Sequence, residues 1–371
     1  MESSNTASIL RITLLTAVCA VLLAVSVTRA LAVQIELPLN LDYLLLDAAV
    51  KERFYTGPGG HAQFWNDAGN CGHFYATNPR FGRSGPNVRL ESQGDLEAAI
   101  ALAGQCLNAM SWSGNLVAIT TPWITSFALK FRITDLNFYG ANGTAIGGGA
   151  FGLVKSGLID ELGSFSYDLR PQLQQLQALA DGLPPTPAAT EVKAVLASLR
   201  PAPQIVPQDD GIGVALQMDV PESLLSPSVA PLTSAQKASW RDAAENVSAL
   251  LTTMATQTQA LMPDAQLRDE VTRIAADSQA RVAAAANAPP PRGDPLPLFR
   301  NDWQRLRAAL KSAARRGSLR DQTAAVLAAL TAGDAVFALD EQAPGLGSQL
   351  AQAGLQKLAQ GLPAPPPPAQ Y

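Results

Sequence analysis

In "FALKFRITDLNFYG", Phe127, Leu129, Phe131 and Ile133 alternate with Ala128, Lys130, Arg132 and Thr134. Successive side chains of a strand point to opposite faces, so the stretch predicts a ribbon with one apolar face and one solvated face. Val33, Ile35, Leu37 and Leu39 alternate with Gln34, Glu36, Pro38 and Asn40 in the same way. Pro38 cannot donate to a ladder, which predicts an edge strand or one that ends there. Asn40 or Asp42 can then cap a helix. In that helix Leu41, Leu44, Leu45 and Ala48 form a stripe, widened by Leu46, Ala49, Val50 and Phe54. Asp47 and Lys51 lie four apart on its remaining surface, the spacing of a helical ion pair.

Between Ala62 and Tyr139 the runs "AQFW", "CGHFYAT", "NVRLESQGDLEAAI" and "CLNAMSWSGNLVAITTPW" read as successive strands, with Gly114 a candidate bulge. No helix-length segment separates them, which predicts antiparallel pairing. A second helix follows, with Phe151, Val154, Leu158 and Leu162 on one face. Gly148, Gly149, Gly152 and Gly157 weaken it by roughly 1 kcal/mol each relative to Ala, which predicts close packing on another backbone. Short helices are expected in "PQLQQLQAL" and "TEVKAVLASL". Asp210-Gly211 stands between two alternating runs and signals a hairpin, with Ile212, Val214, Leu216, Met218 and Val220 on one face.

The stretch "PESLLSPSVAPLT" has three prolines, three serines and no periodicity. It predicts a linker at 223–233 that few core contacts cross. Beyond it strand signals vanish. Trp240, Ala244, Val247, Leu251, Met254, Thr258 and Leu261 are spaced 4-3-4-3-4-3, a helical seam that offers a face to a protein partner. Further helices are expected around Leu267–Val282, Trp303–Leu310, Leu319–Leu330, Asp334–Leu339 and Ser348–Gln360. The reading is an α+β segment at 33–222, an all-α domain at 234–362 and a Pro-rich tail at 363–371.

Composition narrows the partners. The chain of 371 residues is 47% hydrophobic and 16% charged, with a net charge of -4 and no basic block. That excludes the electrostatic footprint of a nucleic-acid binder. Arg11 precedes the uncharged run "ITLLTAVCAVLLAVSVT", and Ala30 and Ala32 follow at the spacing a signal peptidase reads. The run of 17 residues also reaches the lower edge for spanning a bilayer. Residues 1–32 are therefore a signal peptide or an inner-membrane anchor, and both readings place the body in the periplasm. Cys71 and Cys106 are the only cysteines of that body. An even pair in an oxidising compartment reads as one disulfide, contributing on the order of 3–4 kcal/mol; the alternative is two buried thiols.

Candidate chemistry is sparse. His61 and His73 are the only histidines, and Cys71-x-His73 lacks the spacing of a four-ligand zinc site. The acidic pairs Asp160-Glu161, Asp209-Asp210 and Asp340-Glu341 are neighbours in sequence, whereas glycoside cleavage needs carboxylates facing each other across a groove. No phosphate-binding or dinucleotide motif appears. No catalytic, cofactor or metal residue is assigned, and the reading is non-enzymatic.

The layout of 33–222 resembles one module of the tubular lipid-binding (TULIP) superfamily, which includes the bactericidal permeability-increasing-like proteins. "LPLNLDYLLLDAAVKERFY", "FALKFRITDLNFYG" and "DDGIGVALQMDVP" carry the resemblance. The chain also looks like exported proteins of Gram-negative bacteria with the same two-part plan. The resemblance implies a curved antiparallel sheet wrapped on one or two long apolar helices, with an apolar channel between them for acyl chains. Leu44, Leu45, Phe127, Leu129, Phe131 and Ile133 would line that channel. The same faces would also serve a plain sheet-on-helix core. The functional expectation is a binder of a lipid-like ligand at the cell envelope; the alternative is an envelope scaffold whose C-terminal helices bind a protein.

Overall fold

The computed structural model describes residues 32–226, 264–287 and 296–351, apart from single positions at 68, 70, 103, 104, 148, 184, 320 and 321, together with scattered positions between 233 and 245. The N-terminal apolar run, most of the Trp240–Leu261 seam and the Pro-rich tail lie outside the described residues.

β1 (Ala32–Asp42) leads directly into α1 (Tyr43–Phe54), and the Asp42 side chain accepts a hydrogen bond from Leu44 N as its cap. There follow β2 (Ala62–Asn66), β3 (His73–Ser84), β4 (Asn87–Leu102), β5 (Gln105–Thr125), β6 (Ala128–Gly140) and the short β7 (Ala145–Ile146). α2 (Gly149–Gly163), β8 (Ser166–Asp168), α3 (Arg170–Asp181) and α4 (Pro187–Ala197) lead to the hairpin of β9 (Arg200–Pro207) and β10 (Gly211–Pro221). A helical turn, α5 (Glu222–Leu225), ends this segment; the described C-terminal part holds α6 (Ala265–Asn287), α7 (Leu296–Arg315) and α8 (Thr323–Gln342). The fold is α+β, a curled antiparallel half-barrel followed by helices.

The larger sheet runs β2-β3-β4-β5-β6-β7, with β8 also on β6; the smaller runs β1-β10-β9. β1 is an edge strand, as Pro38 requires, and it pairs with β10 along its whole length, Leu37 opposite Leu216, Leu39 opposite Val214 and Leu41 opposite Ile212. Gly94, Gly114 and Gly140 fall in register across β4, β5 and β6. Gly114 is thus paired and not a bulge; the register shifts lie at Ala98/Ala99 and at Ile119/Thr120. The glycine row makes room for the Trp112 indole, whose ring atoms lie 2.7 and 2.9 Å from where a Cβ on Gly94 or Gly114 would sit. The glycines of α2 have a different setting from the one expected: a Cβ on Gly152 or Gly157 would meet nothing within 4 Å. A disulfide joins Cys71 and Cys106 across 5.3 Å between Cα atoms.

Two cores result. The first fills the half-barrel with side chains of α1, α2 and β3–β6 and also takes in Leu327 and Leu330 of α8. The second joins Leu37 and Leu39 of β1, α3, α4 and β10 to Ala335 and Leu339 of α8 and to Leu346 and Leu350. Residues on both sides of 223–233 therefore share each core, and Leu224 within that stretch is itself buried. α8 is the one helix among the described residues long and apolar enough to cross a membrane. Here it serves as a core helix.

Phe131 sits with its ring 5.5 Å from Phe81 and 5.7 Å from Phe165. Truncating it would open a void that close-packed neighbours cannot refill, so Phe131→Ala should lower stability by about 3–5 kcal/mol in chemical denaturation. A loss below about 1 kcal/mol would contradict this packing.

Candidate ligand-binding groove

The residues expected to line an acyl channel are gathered around protein, not around space. Leu45, Leu129 and Phe131 are buried, and Leu44, Phe127 and Ile133 pack partly buried against the same core. The void beside Phe131 and Ile133 measures about 10 Å³, room for a single water at most. Around Phe131 and Ile133 the half-barrel interior is thus filled by its own side chains. Phe127 also departs from the strand pattern. It and Ser126 form the two-residue turn between β5 and β6, both with positive φ (66° and 47°), as a tight hairpin demands. On β6, Arg132 is exposed, while Lys130 is half-buried with its ammonium 5.2 Å from the Trp123 ring centre.

A polar basin of about 940 Å³ opens where α1, β3 and the β9–β10 turn meet the end of α7. At its edge Lys311 is nearly buried, its Nζ 2.5 Å from Asp42 and 3.1 Å from Asp210. Burial tends to raise the Asp210 carboxyl, but hydrogen bonds from Lys311 and Asn40 and the Lys311 charge outweigh it and hold the group below its ordinary value. Asp47 does not form the surface ion pair with Lys51 that its spacing suggested. It accepts a hydrogen bond from Phe81 N at 2.6 Å. Burial pushes its carboxyl up to about 7, with that bond and the Lys51 charge opposing only in part. No histidine or cysteine lines the basin. His61 and His73 instead rest against the Tyr75 ring, 4.7 and 4.4 Å between centres. Among the described residues no group of three His, Cys, Asp or Glu could hold a metal.

The second opening is a groove of about 550 Å³ between the β1-β10-β9 sheet and the α7–α8 pair. Its floor comes from Pro38, Asn40, Gly213 and Ala215, which alternate with the core-facing residues of β1 and β10, and from Val206 of β9. Its wall uses two stripes with helical i, i+3, i+4, i+7 spacing: Arg300, Trp303, Gln304 and Arg307 on α7, and Asp334, Phe337, Ala338 and Glu341 on α8. The Trp303 and Phe337 ring centres lie 5.9 Å apart with their planes inclined by 28°, and the Trp303 Nε1–H donates to Asp334 at 2.7 Å. The indole fits because position 333 is glycine; a Cβ there would come within 2.2 Å of the ring. Arg307 pairs with Asp334 at 2.8 Å. Arg300 pairs with Asp340 at 2.8 Å and Glu341 at 2.6 Å and lies over the Phe337 ring. These pairs give Asp340-Glu341 the partner that sequence reading did not find. The available signal was the mixed stripe R-x-x-W-Q-x-x-R facing D-x-x-F-A-x-x-E, which helical spacing alone assigns to a solvated surface.

No family model, curated protein or solved structure matches the chain.

Two consequences concern the basin. Asp47 holds its proton in the fold to about pH 7, whereas an unfolded Asp releases it near pH 4. The folded chain binds more protons across that window, so the Asp47 contribution to stability falls as pH rises from about 4 to about 7. Asp47→Asn should flatten that part of the profile and raise stability at pH 8 by on the order of 2 kcal/mol, read from denaturation midpoints at several pH values. Lys311→Met leaves Asp42 and Asp210 without their shared cation and should lower stability at pH 7.5 by about 3 kcal/mol, with part of the loss recovered at pH 4.

Proposed function

We propose that the protein is an exported, non-enzymatic module that binds a lipid-like amphipathic molecule at the cell envelope, seated in the groove between the β1-β10-β9 sheet and α7–α8. The observation that carries this reading is the groove itself: a partly apolar cleft of about 550 Å³ with an aromatic pair on its wall and Val206 left 48% exposed on its floor. Its size lies within the usual range for small-molecule sites, about 300–1,000 Å³. An exported body suits the disulfide, since such bonds persist in oxidising compartments. The resemblance of the 33–222 sequence to a TULIP module is the ground for choosing a lipid-like ligand. Beside Phe131 and Ile133 the half-barrel has no room for an acyl chain, whereas the groove combines room with an aromatic and aliphatic lining.

Protein purified without detergent should release a bound amphiphile on solvent extraction and mass spectrometry. Val206→Asp places a charge in the apolar floor at an exposed position, where folding tolerates it. A charge buried without a partner costs well over 1.4 kcal/mol, so the variant should retain at least about tenfold less ligand with little change in melting temperature. Wild-type protein that carries no amphiphile, or a variant that carries as much as wild type, would overturn the proposal.

A further inference from the structure

Resting on that reading, we infer that the amphiphile held in the groove has an uncharged, hydroxyl- or amide-rich head, of the kind a neutral glycolipid carries. The inference comes from how the groove spends its polar groups. Both arginines of the wall are already neutralised, Arg307 by Asp334 and Arg300 by Asp340 and Glu341. Arg300 in addition lies 5.6 Å from the Phe337 ring centre. A phosphate or carboxylate head would therefore find no unpaired cation among the described lining residues, and would meet two lining carboxylates, Asp334 and Glu341, that already hold the two arginines. It could bind an arginine only by breaking an existing ion pair, which leaves a carboxylate unpaired beside it. A cationic head meets the reverse problem at Arg300, which already occupies the ring face and stands against the carboxylates.

What remains available is neutral. Gln204 on β9, Gln208 in the β9–β10 turn and Gln304 on α7 line the groove. Among the described residues, their side-chain amides have no hydrogen-bond partner. The Gln208 amide sits over Gly213, where a Cβ would come within 2.8 Å of its nitrogen, so a glycine keeps that amide at the groove. Each amide offers two N–H donors and a carbonyl acceptor at once, a set that matches hydroxyls, which likewise donate and accept. Val206 and the Trp303–Phe337 pair supply the apolar surface for the chain.

The test measures equilibrium binding to the full, detergent-free protein, below the micelle concentration, of four probes: dodecyl maltoside, dodecyl phosphate, dodecyltrimethylammonium and free maltose. Dodecyl maltoside should bind at least about tenfold more tightly than either charged probe, and maltose more weakly still. In a Gln204→Ala, Gln304→Ala double variant, dodecyl maltoside should lose about fivefold or more, while dodecyl phosphate is unaffected, because one or two hydrogen bonds are removed from the neutral head alone. Both positions are exposed, so the variant should fold, which an unchanged melting temperature checks. Charged probes binding as tightly as dodecyl maltoside, or a ranking unmoved by the double variant, would overturn the inference while leaving the amphiphile reading intact. Failure of all three dodecyl probes would overturn both. Maltose binding as tightly as dodecyl maltoside would uphold the neutral head and remove the apolar chain from the reading.

Discussion

β1 has a single strand partner, β10, and their pairing joins the beginning of the described chain to the end of its α+β segment. Its register decides three things together. Leu37, Leu39 and Leu41 are set opposite Leu216, Val214 and Ile212, and a slip by one residue would turn a whole strand's apolar set away from the cores. Asp42 is set opposite Gly211, so that it and the neighbouring Asp210 come to one place, from which both reach Lys311. The intervening residues, among them Pro38, Asn40, Gly213 and Ala215, are left on the opposite face, where they become the floor of the groove. Core, ion cluster and groove thus share one pattern of backbone hydrogen bonds.

Lys311 carries the effect from the sheet to the helices. It lies four residues beyond Arg307, in line with the stripe of Arg300, Trp303, Gln304 and Arg307. A nearly buried ammonium between two carboxylates contributes little net stability, because desolvation offsets most of the attraction. Removing it is costly in every other arrangement of α7, however, since two carboxylates would then stand unpaired. The cluster therefore acts on orientation: α7 can rotate only by giving up Lys311. On its far side α7 is held by α6, where Ser278 and Arg281 both bind the buried Asp302 carboxylate. With both sides held, Trp303 is aimed at Gly333 of α8 and the groove wall is set.

Much of the fold was legible because backbone rules act locally. The alternation at Leu37 and Leu39 and along 211–221, and the stripe Phe151, Val154, Leu158, Leu162, each name the face that is buried, whereas Val33, at the start of the first alternation, is exposed. The Cys71–Cys106 bridge was legible from the even pair and an expected oxidising compartment. The failures have local causes too. Ser126 and Phe127 adopt positive φ without a glycine, so nothing marked a turn inside an apparently unbroken ribbon. The shift at Ile119/Thr120 moves the buried positions of β6 from Leu129 and Phe131 to Leu136 and Phe138, a change of phase that period-two reading cannot place in advance. Asp47 looked like half of a surface pair because Phe81 N, its actual partner, lies on another element. The core shared across 223–233 was hidden for the same reason: the runs Leu319–Leu330 and Asp334–Leu339, expected as two helices, form the single α8, and neither run says which body it packs on.

The candidate site was the least legible part, and the physics of a groove explains why. A core announces itself by excluding polar residues, so an apolar stripe can be read from one element alone. A groove that holds an amphipathic molecule must mix the two kinds, and the mixture has meaning only when its halves face each other. Arg300, Trp303, Gln304 and Arg307 taken alone describe a wet helix face; so do Asp334, Phe337, Ala338 and Glu341. Brought together, they cancel each other's charge: Arg307 binds the aspartate that also accepts the hydrogen bond from Trp303 Nε1–H, and Arg300 bridges two acids while covering Phe337. The surface left over is aromatic and amide in character, and neither helix has that character by itself. The selectivity proposed for an uncharged head would accordingly be a property of the α7–α8 contact, which Lys311 ties to the strands beneath it through Asp42 and Asp210.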